Sequence, residues 1–191
     1  MTRFYLFAAR LHLHAFYLFD DPSIDGYTDR LVTLYETAAT FMEHSLETEN
    51  QDGDFFLHCP FFCYQNFLCA SFIVLKIMMN GYFGSLIDAK AGKDLLNSAI
   101  SALRKMSVAN NDLPARLSDV IGYFCALPDH GAVSGDTPDG LRLRVRNRLS
   151  MSIVYDLLWQ WRKYFQMGQT SNDPNNNRIT PQEEYLPRLF S

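Results

Sequence analysis

The sequence predicts an all-α fold of about six helices packed around one strongly apolar central helix. Three observations predict it. Apolar residues recur at three- and four-residue steps along most of the chain, and Pro, Gly, Asn and Asp separate the segments so defined. No run alternates with period two for long enough to build a sheet. A length of 191 residues suits one domain, and 48% hydrophobic residues, with 15 Phe and 10 Tyr, are ample for a core. Charged residues at 20% and a mean hydropathy of -0.12 argue against wholesale disorder. The net charge of -4 gives the surface as a whole no reason to bind polyanions.

The first segment, about Thr2 to Phe19, is apolar nearly all round and reads as a helix inside a fold. Arg10, His12 and His14 interrupt it and no small-residue cleavage site follows, so it is not a signal peptide. The turn Asp20-Asp21-Pro22-Ser23 ends it. A second helix starts near Thr28, with Leu31, Leu34, Tyr35, Ala38, Phe41 and Met42 as its buried stripe and a polar loop at 49–54. The third segment, 55–83, is the most apolar and is long enough to span a bilayer. Gln65, Asn66, Ser71 and Lys76 interrupt it, and a charge at a bilayer centre costs about 3 kcal/mol, so a buried central helix over 60–79 is the better reading.

A fourth helix runs from Asp88, its N-cap, to about Val108, burying Leu96, Ala99, Ile100, Leu103 and Met106. Asn110-Asn111-Asp112 forms a turn that caps a fifth helix over 114–126, with Pro114 in its first turn. Residues 128–140 are a Gly-, Pro- and Asp-rich loop. The last long helix is expected over 141–165, on the four-residue repeat Leu141, Val145, Leu149, Ile153. The helical domain is therefore 1–166, and 167–191 is expected to be a flexible polar tail, into which Tyr185, Leu186, Leu189 and Phe190 put apolar groups that could dock. Core-type residues follow Met1 almost at once, so the domain is expected to be incomplete at its N-terminus.

No catalytic, cofactor, metal or nucleic-acid site is assigned to any residue, and no enzyme activity is expected. His58, Cys59 and Cys63 invite a metal reading, but the usual ligand pairs at their usual spacings do not occur. Cys59, Cys63, Cys69 and Cys125 read as reduced, mostly buried thiols. His12 and His14 read as core-edge residues, and Glu36, Glu43 and Glu47 as a solvated helix flank. Phe61, Phe62, Tyr64, Phe67 and Phe72 could line a pocket for a lipophilic ligand, although aromatic helical faces more often form core. Arg142, Arg144, Arg146 and Arg148 are the one concentrated positive feature. On a helix, alternate residues lie about 200° apart, which splits them into two pairs. The expectation is surface pairing with acids such as Asp112, Asp119 or Asp139, rather than phosphate contact.

The stretch DAKAGKDLLNSAISALRKMSVANNDLPARLSDVI (88–121) resembles the C-terminal part of the regulatory, or middle homology, domain of fungal zinc-cluster transcription factors. LRLRVRNRLSMSIVYDLLWQWR (141–162) resembles the segment that follows there, and FFLHCPFFCYQNFLCASFIVLKIM (55–78) fits the hydrophobic central helix. The nearest flavour is that of the leucine-biosynthesis and weak-acid-resistance regulators. The resemblance implies a helical regulatory domain in a nuclear protein, with partners in the transcription machinery or its own family, self-association, and a small-molecule effector. The family's DNA-binding module has six cysteines beginning C-x2-C and holds two zinc ions. The four cysteines here do not match it, so neither zinc binding nor sequence-specific DNA binding is expected of this chain, and no membrane association. The chain is expected to be a fragment or a truncated gene product.

Overall fold

The computed structural model describes residues 2–127 and 138–171, with side chains as far as Tyr164. The first helix, α1 (Thr2–His14), continues into a 3-10 turn over Ala15–Phe19. There follow α2 (Tyr27–Asp52), α3 (Phe55–His58), α4 (Phe61–Met78), α5 (Gly81–Gly84), α6 (Ala89–Met106) and α7 (Leu113–Ala126). Two more 3-10 turns, Pro138–Leu141 and Leu149–Met151, precede α8 (Ser152–Ser171). The eight helices and three turns are joined by no strand among the described residues, so the all-α expectation holds.

α4 is the centre. It packs against α2, α6, α7 and α8, and from Tyr64 to Ile77 only Gln65 escapes full burial. By length and composition α4 could cross a membrane, yet 78% of it is buried inside this fold. α1 lies antiparallel to α2, with Phe7 on His44 and the His14 Nδ1 2.9 Å from Thr37 Oγ1. The stripe expected on α2 is buried in full, from Leu31 to Met42. α6 runs parallel to α2 and is fastened at both ends. Tyr35 donates to the Asp88 carbonyl, and Lys105 pairs with the buried Glu49 and donates to the Gly53 carbonyl. In the first turn of α6, a Cβ at Gly92 would stand 2.5 Å from both Met78 Sδ and Tyr35 Oη, so glycine allows the close approach of α6.

The helix starts at α6 and α7 follow the sequence signals. Asp88 accepts from the Ala91 N–H and Asp112 from the Ala115 N–H, with Pro114 in the first turn of α7. Three expectations are corrected. The polar loop expected at 49–54 is helical to Asp52, because buried Glu49 accepts from the Phe56 N–H and holds Lys105, anchoring the last turn of α2. The last helix begins at Ser152 and not at 141, for reasons given below. The tail expected over 167–191 is helical as far as Ser171; residues 172–191, and residues 128–137 of the loop expected at 128–140, lie outside the described residues.

Candidate functional site

The residue that organises the second half of the chain is Asp156, on the inner face of α8. Lys76 lies near the end of α4, where an ammonium among Ile73, Val74 and Ile77 is costly unless a carboxylate meets it. Lys76 Nζ lies 2.7 Å from Asp156 Oδ2, and both side chains are sealed from solvent, at 1% and 0% exposure. The same oxygen accepts from Gln160 Nε2 at 2.9 Å. The other, Oδ1, accepts from the backbone N–H groups of Arg144 at 2.7 Å and Val145 at 3.3 Å. One carboxylate therefore ties α4, α8 and the segment 142–148 together. Burial holds the Lys76 ammonium below the usual lysine range, against the pull of Asp156.

This tie explains why 141–151 is not helix. Asp156 takes the N–H groups of Arg144 and Val145 that a helical ladder would use, and Ser152 Oγ accepts from the Arg148 N–H at the start of α8. Leu149 sits at φ +50°, a left-handed conformation that breaks any helix running through it. The four-residue repeat Leu141, Val145, Leu149, Ile153 was thus misleading: Leu141 and Ile153 are buried, but Leu149 is exposed. Period-two alternation describes the segment instead, with Leu141 and Leu143 buried and Arg142, Arg144, Arg146 and Arg148 exposed.

Among the described residues, no ion pair joins these four arginines to Asp112, Asp119 or Asp139. Asp112 is occupied by the backbone of Val108, Ala109 and Ala115, and Asp119 lies 3.5 Å from Arg104. Aromatic rings take three of the four guanidinium groups instead. Arg144 lies 4.8 Å from the centre of the Trp159 ring, Arg148 5.2 Å from Tyr155 and Arg146 5.4 Å from Phe19. Lys163 approaches Trp159 at 5.6 Å, and Arg146 also donates to the Phe19 carbonyl.

The remaining candidates resolve into structure. Among the described residues, no group of three His, Cys, Asp or Glu side chains could hold a metal ion, His58, Cys59 and Cys63 included. All four cysteines are free, two buried and two half-buried. Burial pushes the Cys59 thiol up to about 11 and the Cys69 thiol up to about 12, and raises Cys63 and Cys125 as well, so the thiolate a nucleophile requires is suppressed. His12 Nδ1 meets Ser150 Oγ at 2.6 Å, pinning α1 to the 3-10 turn before α8. Glu36, Glu43 and Glu47 are exposed. Phe67 and Phe72 are fully buried core and Tyr64 nearly so, whereas Phe61 and Phe62 face outward, so the five line no common pocket. A cavity of about 150 Å³ opens elsewhere, between α4, α6 and α7, lined by Leu75, Met78, Met79, Leu96, Lys93 and Cys125.

The sequence did carry a signal for the Lys76–Asp156 pair. A lysine inside an apolar helix demands an acid, and Asp156 is the one acid between 141 and 171. The stacking partners of the arginines had no comparable signal, since they depend on how α8 lies against the preceding segment. No protein-family model, curated protein or solved structure matches the chain, so a functional reading rests on its own residues and their arrangement.

Proposed function

We propose that the chain is a regulatory and interaction domain of a fungal transcription factor, acting in the nucleus on protein partners of the transcription machinery or of its own family. The observation that carries the reading is the likeness of three segments to that domain. The arrangement of those segments supports it: 55–78 supplies α3 and the central α4, 88–121 spans α6 and most of α7, and 141–162 is fastened to α4 through Asp156. The four cysteines of the chain are not spaced as a zinc-cluster module requires, so promoter recognition is assigned to another part of the factor or to a partner. Tethering tests this. Fused to an unrelated DNA-binding module in a fungal reporter strain, the chain should change reporter output; a stable nuclear fusion that changes nothing argues against the role.

The cavity beside α6 favours a second reading, a hydrophobic small-molecule effector. At about 150 Å³ it is smaller than a typical drug-sized pocket of about 300–1,000 Å³ and suits a ligand the size of a benzene ring. Lys93 at its wall would favour a carboxylate on that ligand. A rise in melting temperature with small hydrophobic acids supports this reading, and a flat panel counts against it.

A further inference from the structure

The charge of this molecule is segregated. Residues 141–171 carry five arginines and one lysine against a single acid, Asp156, in a chain whose net charge is -4. Asp156 is fully buried and committed to Lys76, so it neutralises none of the exposed cations. Arg144, Arg146 and Arg148 have no carboxylate within 4 Å among the described residues. Their positions are nonetheless fixed. Tyr155, Trp159 and Lys163 are spaced four residues apart along one face of α8, and the first two rings hold Arg148 and Arg144. The two guanidinium groups and the Lys163 ammonium consequently gather over two rings that stand one helical turn apart on α8. Aromatic stacking leaves the edge N–H groups of an arginine free to donate, and the planar fork suits a carboxylate.

We infer that this cationic cluster, Arg144, Arg148 and Lys163 over Tyr155 and Trp159, is a docking surface for a short acidic segment of a partner protein. Carboxylates at every fourth residue of a helical peptide repeat once per turn, as Tyr155, Trp159 and Lys163 do on α8, so such a peptide laid along α8 can present carboxylates to these cations. The charge distribution favours a short acidic peptide over a nucleic acid. The rest of the molecule is strongly acidic and repels a long polyanion, whereas a short segment feels only charges within a Debye length of about 8–10 Å. The inference does not depend on the transcription-factor reading, because binding is measured on the purified chain.

The test is a fluorescence-anisotropy titration of the full chain into a labelled 12-residue helical peptide carrying glutamate at every fourth position. Saturable binding at 50 mM NaCl that weakens at least tenfold at 300 mM is expected. The Arg144→Gln/Arg148→Gln variant should weaken it at least tenfold, while the charge-matched Arg3→Gln/Lys90→Gln variant, on the exposed faces of α1 and α6, should stay within twofold of the unsubstituted chain. The stacked side chains, not the backbone bonds to Asp156, are what the first variant alters; if it does not melt cooperatively, Lys163→Gln should still weaken binding at least threefold. Absence of saturable binding overturns the inference, as does equal loss in the charge-matched variant. Tighter binding of a 12-nucleotide single-stranded DNA than of the peptide overturns the choice of partner.

Discussion

Replacing Asp156 by Asn keeps the shape of the side chain and removes one charge. The amide oxygen must face the N–H groups of Arg144 and Val145, which turns the amide N–H group towards Lys76 and Gln160, both donors. Gln160 can adapt by rotating its amide, because its Oε1 has no hydrogen-bond partner. Lys76 cannot adapt: its ammonium is left without its counter-charge at 1% exposure. Breaking a buried pair in this way costs about 3–5 kcal/mol, a large share of the roughly 5–15 kcal/mol that holds a domain folded. Lys76→Met alone strands the carboxylate, with three remaining donors to soften the loss, and should cost about 2–4 kcal/mol. The double variant Lys76→Met/Asp156→Asn removes both charges and lets the new amide donate to a rotated Gln160. Its cost should be about 1 kcal/mol, so the pair couples by several kcal/mol.

Urea unfolding followed by circular dichroism reads all four proteins. The pH dependence carries a second signature. Burial already holds Lys76 low, and losing Asp156 lowers it further, so the unfolded Asp156→Asn chain binds more protons than the folded one. Its stability relative to the double variant, which lacks the lysine, should therefore rise between pH 7 and about 10. Single-variant costs that add to within about 0.5 kcal/mol in the double variant, together with a flat pH difference, would refute the reasoning.

The thiols give a kinetic prediction. With Cys59 raised to about 11, its thiolate fraction at pH 8 is roughly 200-fold below that of an ordinary cysteine with pKa about 8.5, and modification by a disulfide reagent should slow accordingly until the chain is unfolded. Because native thiols hold protons that unfolded ones release, their contribution is full below about pH 8.5 and lost above it, so the urea midpoint should fall between pH 8 and 10. Gly92→Ala, favourable by about 1 kcal/mol in an open helix, should instead destabilise by about 1–3 kcal/mol, as the added Cβ displaces Met78 and the Tyr35 hydroxyl; a raised melting temperature would show that both yield freely. Tyr5, Leu6, Leu57, Phe61 and Phe62 are exposed, with Tyr5 stacked on Phe62, and the purified chain should self-associate in light scattering; Phe61→Glu/Phe62→Glu should return it towards monomer, and a clean monomer at the outset would contradict this.

The parts of the fold that were legible in the sequence are those set by local chemistry. Leu31 to Met42 repeat at helical steps and are buried; Asp88 and Asp112 stand before helices and cap them. Residues 141–151 were misread because a four-residue apolar repeat and a two-residue alternation coexist there, and only a distant carboxylate decides between them. Once Asp156 takes the two backbone N–H groups, the segment leaves the helix, and Arg144, Arg146 and Arg148 settle on rings that sequence spacing could not assign to them. The same limit applied to Glu49, which read as part of a polar loop, although its partners Lys105 and Phe56 make it a buried anchor.

The regulatory role is the central claim, and reporter output from the tethered chain tests it most directly. The proposal predicts a several-fold change relative to the DNA-binding module alone. That change should shrink in an Asp156→Asn fusion, which loses about 3–5 kcal/mol of stability, and persist in the Lys76→Met/Asp156→Asn fusion, which loses only about 1 kcal/mol. Equal output from all the fusions and the bare module, with each fusion present in the nucleus at matched level, would contradict it.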